Sequence, residues 1–335
     1  MIKYLGSKRL LVPLLLETVR GIAPSGTVVD LFSGTSRVGH ALKAAGYRVV
    51  ANDHNAYAAT LARCYVESDL EDMGAAPGLL AELSRLPGSP GYFTETFCRE
   101  SRFFQPKNGE RVDAIREAIR ALSVPPGLEA VLLVSLLEAA DRVDSTTGVQ
   151  MAYLKQWAPR SYNDLELRMP AVLPRAASGK GAAHQADAVT LAGTLEADVL
   201  YLDPPYNQHS YLGNYHAWES LVTWDKPAVY GIACKRMDVR ERGSAFNRRR
   251  TAFDALAKIV RTTPARALVV SFSNEGYIDR DAMTALLAER GEVEVITRDF
   301  KRYVGAQIGV HNPAGKRVGV VSHLRNEEHV FVVRG

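Results

Sequence analysis

Two short apolar runs rich in β-branched residues, 27–32 and 48–53, flank a stretch at 35–45 with helical spacing that Gly46 stops. Runs of this length, bounded by turn residues, read as strands buried on both faces, and strand–helix–strand at this spacing makes them a parallel pair. Parallel strands need helices on both sides, so the pair commits the chain to a doubly wound α/β architecture. Further strands are expected at 188–191, 199–202, 267–273 and 293–300, with helices at 247–261 and 279–290 and a closing hairpin built from 318–324 and 329–333. After a helix at 56–66 the pattern changes. Helical spacing at 108–122 and 128–142, without strand signals, predicts a mostly helical insertion over 67–169 between two halves of one sheet domain, 1–66 and 170–335. Residues 170–185, rich in Ala, Gly, Pro and Ser, read as a loop returning to the sheet.

The 335 residues, with 47% hydrophobic and 23% charged, exclude disordered, collagen-like and coiled-coil classes. Cys64, Cys98 and Cys234 form no C-x-x-C pair, so neither a disulfide framework nor a structural zinc site is expected. Residues 10–16 are apolar but broken by Pro13, which suits an amphipathic first helix capped by Ser7 better than a signal peptide. With no long apolar window, the expectation is a cytoplasmic protein with no metal and no membrane partner.

Two constellations carry chemistry. In the first, Asp30-Leu31-Phe32-Ser33-Gly34-Thr35, a glycine turn leads from strand to helix and presents free N–H groups beside an acid. The spacing is neither G-x-G-x-x-G nor a P-loop, so pyrophosphate cradling is not expected. Asp30 suits a cationic amine, and Asp53 at the end of the next strand suits ribose hydroxyls. An ordinary tight turn would look the same.

In the second, Val199-Leu200-Tyr201-Leu202 runs into Asp203-Pro204-Pro205-Tyr206. Paired prolines lack N–H donors and end the strand, leaving a carboxylate, a backbone oxygen and an aromatic face together. That set suits an exocyclic amine on a base. Its nitrogen lone pair is delocalised into the ring, and accepting its protons favours the pyramidal form that can attack. A structural turn explains the prolines but not the flanking acid and tyrosine.

On these residues the chain resembles the Dam-like adenine-N(6)-specific DNA methyltransferases. Lys3-Tyr4-Leu5-Gly6-Ser7-Lys8 is similar to the family's amino-terminal motif, Asp30 to Gly34 to its glycine turn, Asp53 and Asp187 to its ribose- and adenine-binding acids, and Asp203 to Tyr206 to its catalytic tetrapeptide. The resemblance implies a Rossmann-like methyltransferase sheet and S-adenosyl-L-methionine as cofactor. It places Tyr4, Gly6, Lys8, Asp30, Phe32, Ser33, Gly34, Thr35, Asp53, Asp187, Ala188 and Asp203 beside that cofactor. It gives catalysis at a flipped adenine to Asp203, Pro204 and Tyr206.

The resemblance also makes 67–169 the target-recognition region, duplex DNA the partner, and leaves open a companion restriction endonuclease and the oligomeric state. Within that region Arg142 and Lys155 are candidates for DNA contact. The cluster of Arg99, Arg102, Phe103, Phe104 and Lys107 is a weaker one. Residues 235–250 hold seven basic and two acidic side chains, a local +5 against +4 for the whole chain. Lys235, Arg236, Arg248, Arg249 and Arg250 are therefore expected to grip phosphates, the alternative being a solvated loop. Lys301, Tyr303, His209, His216 and His311 receive no role. Cytosine-N(4) or RNA-adenine methylation, or a catalytically silent DNA-binding module, would use the same motifs.

Overall fold

The computed structural model describes residues 1–152, 154–301 and 325–335. Seven strands form one sheet: β1 (Thr27–Asp30), β2 (Arg48–Asp53), β3 (Ala182–Gln185), β4 (Ala197–Leu202), β5 (Ala265–Ser273), β6 (Glu292–Lys301) and β7 (Arg325–Arg334). Their order is β3-β2-β1-β4-β5-β7-β6. The pairs among β1 to β5 are parallel, and β7 runs antiparallel to both β5 and β6. The order reverses between β1 and β4, whose carboxyl ends open a crevice at the usual ligand position of such sheets.

Period-two alternation buries both faces. Val29, Leu31, Leu200, Leu202, Leu268 and Val270 pack with Leu256 and Ile259 of helix α8 (Arg249–Thr262) and Met283 and Leu286 of α9 (Arg280–Leu287). Val28, Val49, Ala51, Val199, Tyr201 and Val269 pack on the other side with Leu15 and Val19 of α1 (Val12–Ile22) and Leu42 of α2 (Arg37–Ala44). The doubly wound expectation is met.

Among the described residues, 67–169 hold helices and no strand, with α4 (Ala76–Ser84), α5 (Pro106–Ala121) and α6 (Pro126–Arg142) as main elements, while 143–169 is mostly irregular. Their apolar side chains share one core with α3 (Ala56–Ala62) and α7 (His216–Thr223), through Tyr57, Leu61, Phe93, Phe104, Leu136 and Trp218. Phe103 and Phe104 are buried in it. α6 buries residues on every side, which is how a central helix reads.

Three local expectations are corrected. Residues 188–191 are a helical turn, capped by Asp187, whose Oδ1 accepts from the Thr190 N–H at 3.0 Å. A four-residue apolar run does not separate strand from helix, and the capping acid decides it. The strand lies earlier, at Ala182–Gln185, inside the stretch read as loop. Ala-Ala-His-Gln carries no β-branched residue and occupies a half-exposed sheet edge, so it leaves no hydrophobic signature. Ser7 makes no capping bond and precedes a short 3-10 turn, Lys8–Leu10. Of the closing hairpin, 329–333 falls in β7, while 318–324, His311 and Tyr303 lie outside the described residues.

No described helix is long and apolar enough to cross a membrane. The three cysteines are buried and unpaired.

Candidate functional site

The crevice beyond β1 and β4 gathers the residues that sequence scattered over three regions. Tyr4, Gly6, Lys8, Asp30, Phe32, Ser33, Gly34, Thr35, Asp53, Asp187, Ala188 and Asp203 all line one cleft. Pro205 lines it too, whereas Pro204, which is buried, and Tyr206, which is half-buried, are not part of the lining.

The glycine turn is shaped by two left-handed residues, Gly34 at φ +50° and Ser36 at φ +58°. Glycine adopts this conformation freely, but serine does so at a cost, which marks the turn as held by its surroundings. Gly34 donates to Asp53 Oδ2 at 3.0 Å, tying the ends of β1 and β2 together. A Cβ at Gly34 would come within 3.3 Å of the Tyr4 ring. That ring stacks on both Tyr211 and Tyr215, with centroids 5.1 and 4.6 Å away, and its hydroxyl lies 3.1 Å from that of Tyr57. The amino-terminal segment thus forms an aromatic wall over the turn.

Asp30 is 1% exposed, and neither carboxylate oxygen has a well-formed hydrogen bond. Burial, reinforced by the charges of Asp203 and Asp53, pushes its pKa up to about 8, with the nearby Gly39 and Phe32 N–H groups opposing only weakly. Ser33 Oγ, Ser36 Oγ and Arg37 Nε on the same turn are also buried without partners. Unsatisfied buried polar groups are rare and costly, so their concentration on one turn fits a polar ligand bearing both an amine and a carboxylate. The methionine end of S-adenosylmethionine has those groups, and the donor and acceptor set present fits it. Asp53 is held by the Asn55 N–H at 2.9 Å as well as by Gly34, and burial raises its pKa.

Asp203 stands at the centre of a charged network. Lys8 Nζ lies 3.1 Å from its Oδ1 and also bonds Glu328 and the Tyr206 hydroxyl. Tyr206 Oη lies 2.7 Å from Asp203 Oδ1 and 2.6 Å from Glu328 Oε1. Burial opposes the charge on Lys8, but Asp203 and Glu328 more than offset it and raise its pKa. Burial raises that of Asp203, with Lys8 pulling the other way. The Tyr206 ring packs on Phe272 with centroids 4.8 Å apart.

Sequence reading missed Glu328, Arg37, Tyr57, Tyr211 and Tyr215. The tyrosines at 206, 211 and 215 were a visible signal in one short segment, and Arg37 follows directly on the turn. Glu328 had none, because only strand pairing brings β7 to the site.

The basic segment 235–250 is not one surface. Arg236 is 3% exposed and engaged, donating from both terminal guanidinium nitrogens to Asp225 at 2.7 Å and from Nε to Asp238 at 3.0 Å. It is a structural anchor, and its expected phosphate contact is withdrawn on that ground. Arg242 is paired with Glu219 at 2.8 Å and Asp238 at 3.1 Å. The guanidinium of Arg240 lies over Tyr230 at 4.0 Å. Lys235 is half-buried, and Arg248, Arg249 and Arg250 are exposed at the start of α8. Arg142 is half-buried and donates to the Glu166 carbonyl at 2.6 Å, and Lys155 is exposed. No cluster of three or more His, Cys, Asp or Glu that could hold a metal occurs among the described residues.

Residues 4–286 match the sequence profile of the D12 class N6 adenine-specific DNA methyltransferase family. The chain is 30% identical to Type II methyltransferase M.NlaIII of Neisseria lactamica, over 90% of this chain and 92% of that protein. It is 29% identical to Modification methylase StsI of Streptococcus sanguinis over 90% of this chain but only 48% of that protein. It is also 29% identical to Type II methyltransferase M.FokI of Planomicrobium okeanokoites, over 86% of this chain and 47% of that protein.

Proposed function

This chain belongs to the D12 class N6 adenine-specific DNA methyltransferases, and from that premise we propose that the β1/β4 cleft holds S-adenosylmethionine while the loop from Asp203 to Tyr206 receives a flipped adenine. When bound, the cofactor supplies an electrophilic methyl group on a sulfonium centre. The chain's residues do the rest by orientation, charge and exclusion of water. Asp30 accepts the cofactor's ammonium group, Asp53 its ribose hydroxyls and Asp187 its adenine amine. Asp203 and the Pro204 carbonyl accept the two protons of the target 6-amino group, which readies its lone pair for in-line attack. Methyl transfer would leave the amine with a surplus proton, which Asp203 would pass towards solvent. Tyr206 supplies an aromatic face for the base.

The observation that carries this reading is the presence of two acids in one cleft: a buried Asp30 without a side-chain partner and a partly buried Asp203 gripped by Lys8. Residues 67–169 serve target recognition, with Arg142 and Lys155 facing duplex DNA. Arg248, Arg249 and Arg250 grip its backbone: three cations at a helix start with no acid in the first turn oppose the macrodipole, which an arriving phosphate reverses. The relatives' names extend the reading to the modification half of a restriction–modification pair with a companion endonuclease.

Incubation with labelled S-adenosylmethionine and mixed-sequence duplex DNA, then mass spectrometry of the nucleosides, tests it. N6-methyladenine is expected from the wild type. Asp203→Ala should bind cofactor normally yet lose at least about 10³-fold in methylation. Label on cytosine N4 or only on RNA would replace the substrate reading, and normal turnover by Asp203→Ala would remove that residue from the chemistry.

A further inference from the structure

We propose that Glu328 is a positioning residue for methyl transfer, taking over the Tyr206 hydroxyl when the target amine claims Asp203; this rests on the reading above that Asp203 receives the amine. Glu328 lies in β7, beyond the residues matched by the family profile, and pairs across with Ser273 of β5 and Arg298 of β6. This register points its side chain to the crevice end of the sheet, where it is partly buried against Lys8 and Tyr206.

The Tyr206 hydroxyl has one proton, yet two carboxylate oxygens lie within bonding distance, Asp203 Oδ1 at 2.7 Å and Glu328 Oε1 at 2.6 Å. It satisfies one at a time. Lys8 has three protons and three partners, Asp203, Glu328 and the Tyr206 oxygen, so it bridges the network in either state. While the site waits, the tyrosine proton can occupy Asp203. In the proposal the adenine amine takes that same oxygen, whose two lone pairs Lys8 and the tyrosine already occupy, so its arrival expels the tyrosine proton. Without Glu328 the displaced hydroxyl proton would be left partly buried without an acceptor, a penalty charged against binding the base in the reactive pose. With Glu328 the proton rotates to a second carboxylate at nearly equal distance, and the ring stays where Phe272 holds it.

A double-mutant cycle on the full chain separates this role from a structural one, read as the single-turnover rate on unmethylated mixed-sequence duplex DNA with saturating cofactor. Glu328→Ala should lower that rate by roughly 10-fold or more while cofactor affinity by calorimetry changes less than about 2-fold. Glu328→Gln, which keeps an acceptor oxygen but not the charge, should restore most of the loss. In a Tyr206→Phe background, which has no hydroxyl to place, Glu328→Ala should cost less than about 2-fold. An equal loss in both backgrounds, or Glu328→Gln as poor as Glu328→Ala, overturns the proposal. If Glu328→Ala does not fold, by circular dichroism, Glu328→Gln carries the test, and a loss of about 10-fold in it is equally fatal. Asp203→Ala in parallel keeps the two readings apart: inactive Asp203→Ala with an additive cycle removes only Glu328, whereas active Asp203→Ala removes the reading beneath it.

Discussion

The ammonium of Lys8 lies 3.1 Å from Oδ1 of Asp203, so the segment ahead of the first helix reaches across the cleft and grips the acid at the end of β4. The amino-terminal motif, expected beside the cofactor, therefore also contacts the acid proposed to receive the target amine. Lys8→Met should lower the methylation rate by roughly 10- to 100-fold while changing cofactor affinity much less, because the lysine's partners are Asp203, Glu328 and Tyr206. Parallel single-turnover kinetics and calorimetry check this. Equal losses in rate and affinity would return Lys8 to a purely cofactor-binding role. Thermal stability should fall too, since the variant leaves two partly buried carboxylates without the cation between them.

Asp30 predicts a pH signature. Its folded pKa of about 8 lies above its unfolded value, so between those values the folded chain holds a proton that the unfolded chain releases. The resulting penalty is absent in acid and grows as pH rises towards 8. Asp30→Asn should therefore raise the Tm of the ligand-free protein at about pH 8 by roughly 2–4 °C, with little effect near about pH 4. Differential scanning fluorimetry across that range measures it.

The same acid predicts proton release on cofactor binding. A cationic amine beside Asp30 favours its ionised form, so S-adenosylmethionine should bind more tightly as pH rises from about 6 to about 8. Calorimetry in two buffers of different ionisation enthalpy should show a fraction of a proton released near neutral pH. Asp30→Asn should lose both the release and most of the affinity. Proton uptake in the wild type would place the ammonium elsewhere.

The arginines of the basic segment should divide into two behaviours. Replacing Arg248, Arg249 and Arg250 by Ala should flatten the dependence of log K on log[salt] by about 0.9 for each phosphate no longer neutralised, without loss of fold. Arg236→Ala should instead lower the Tm, because Asp225 and Asp238 are left without their buried partner. DNA titrations at several salt concentrations and thermal melts separate the two. A salt slope that moves only in Arg236→Ala would reverse the assignment.

Much of the sheet was legible because strands buried on both faces carry continuous apolar runs, as Val28-Val29, Val49-Val50-Ala51 and 199–202 do. β3 was not legible: an edge strand of Ala, Ala, His and Gln draws its order from hydrogen bonds to β2 and leaves no mark in hydropathy. The residues that line the cleft could be named from local motifs, since a glycine turn after a strand, an acid at each strand end and a double proline each have a local physical cause.

What sequence alone determined, then, is the fold class, the helices near 108–122 and 128–142 and the acids at the strand ends, all set by local periodicity and backbone restriction. Tertiary structure decided how those groups are partnered. It left Asp30 without a partner, drew Lys8 to Asp203 and brought Glu328 in from β7. It also turned the net charge of 235–250 from one surface into a buried anchor at Arg236 and an exposed triplet at Arg248, Arg249 and Arg250. Charge and pKa depend on which groups lie within a few ångströms, and that is a property of strand order and burial rather than of spacing along the chain.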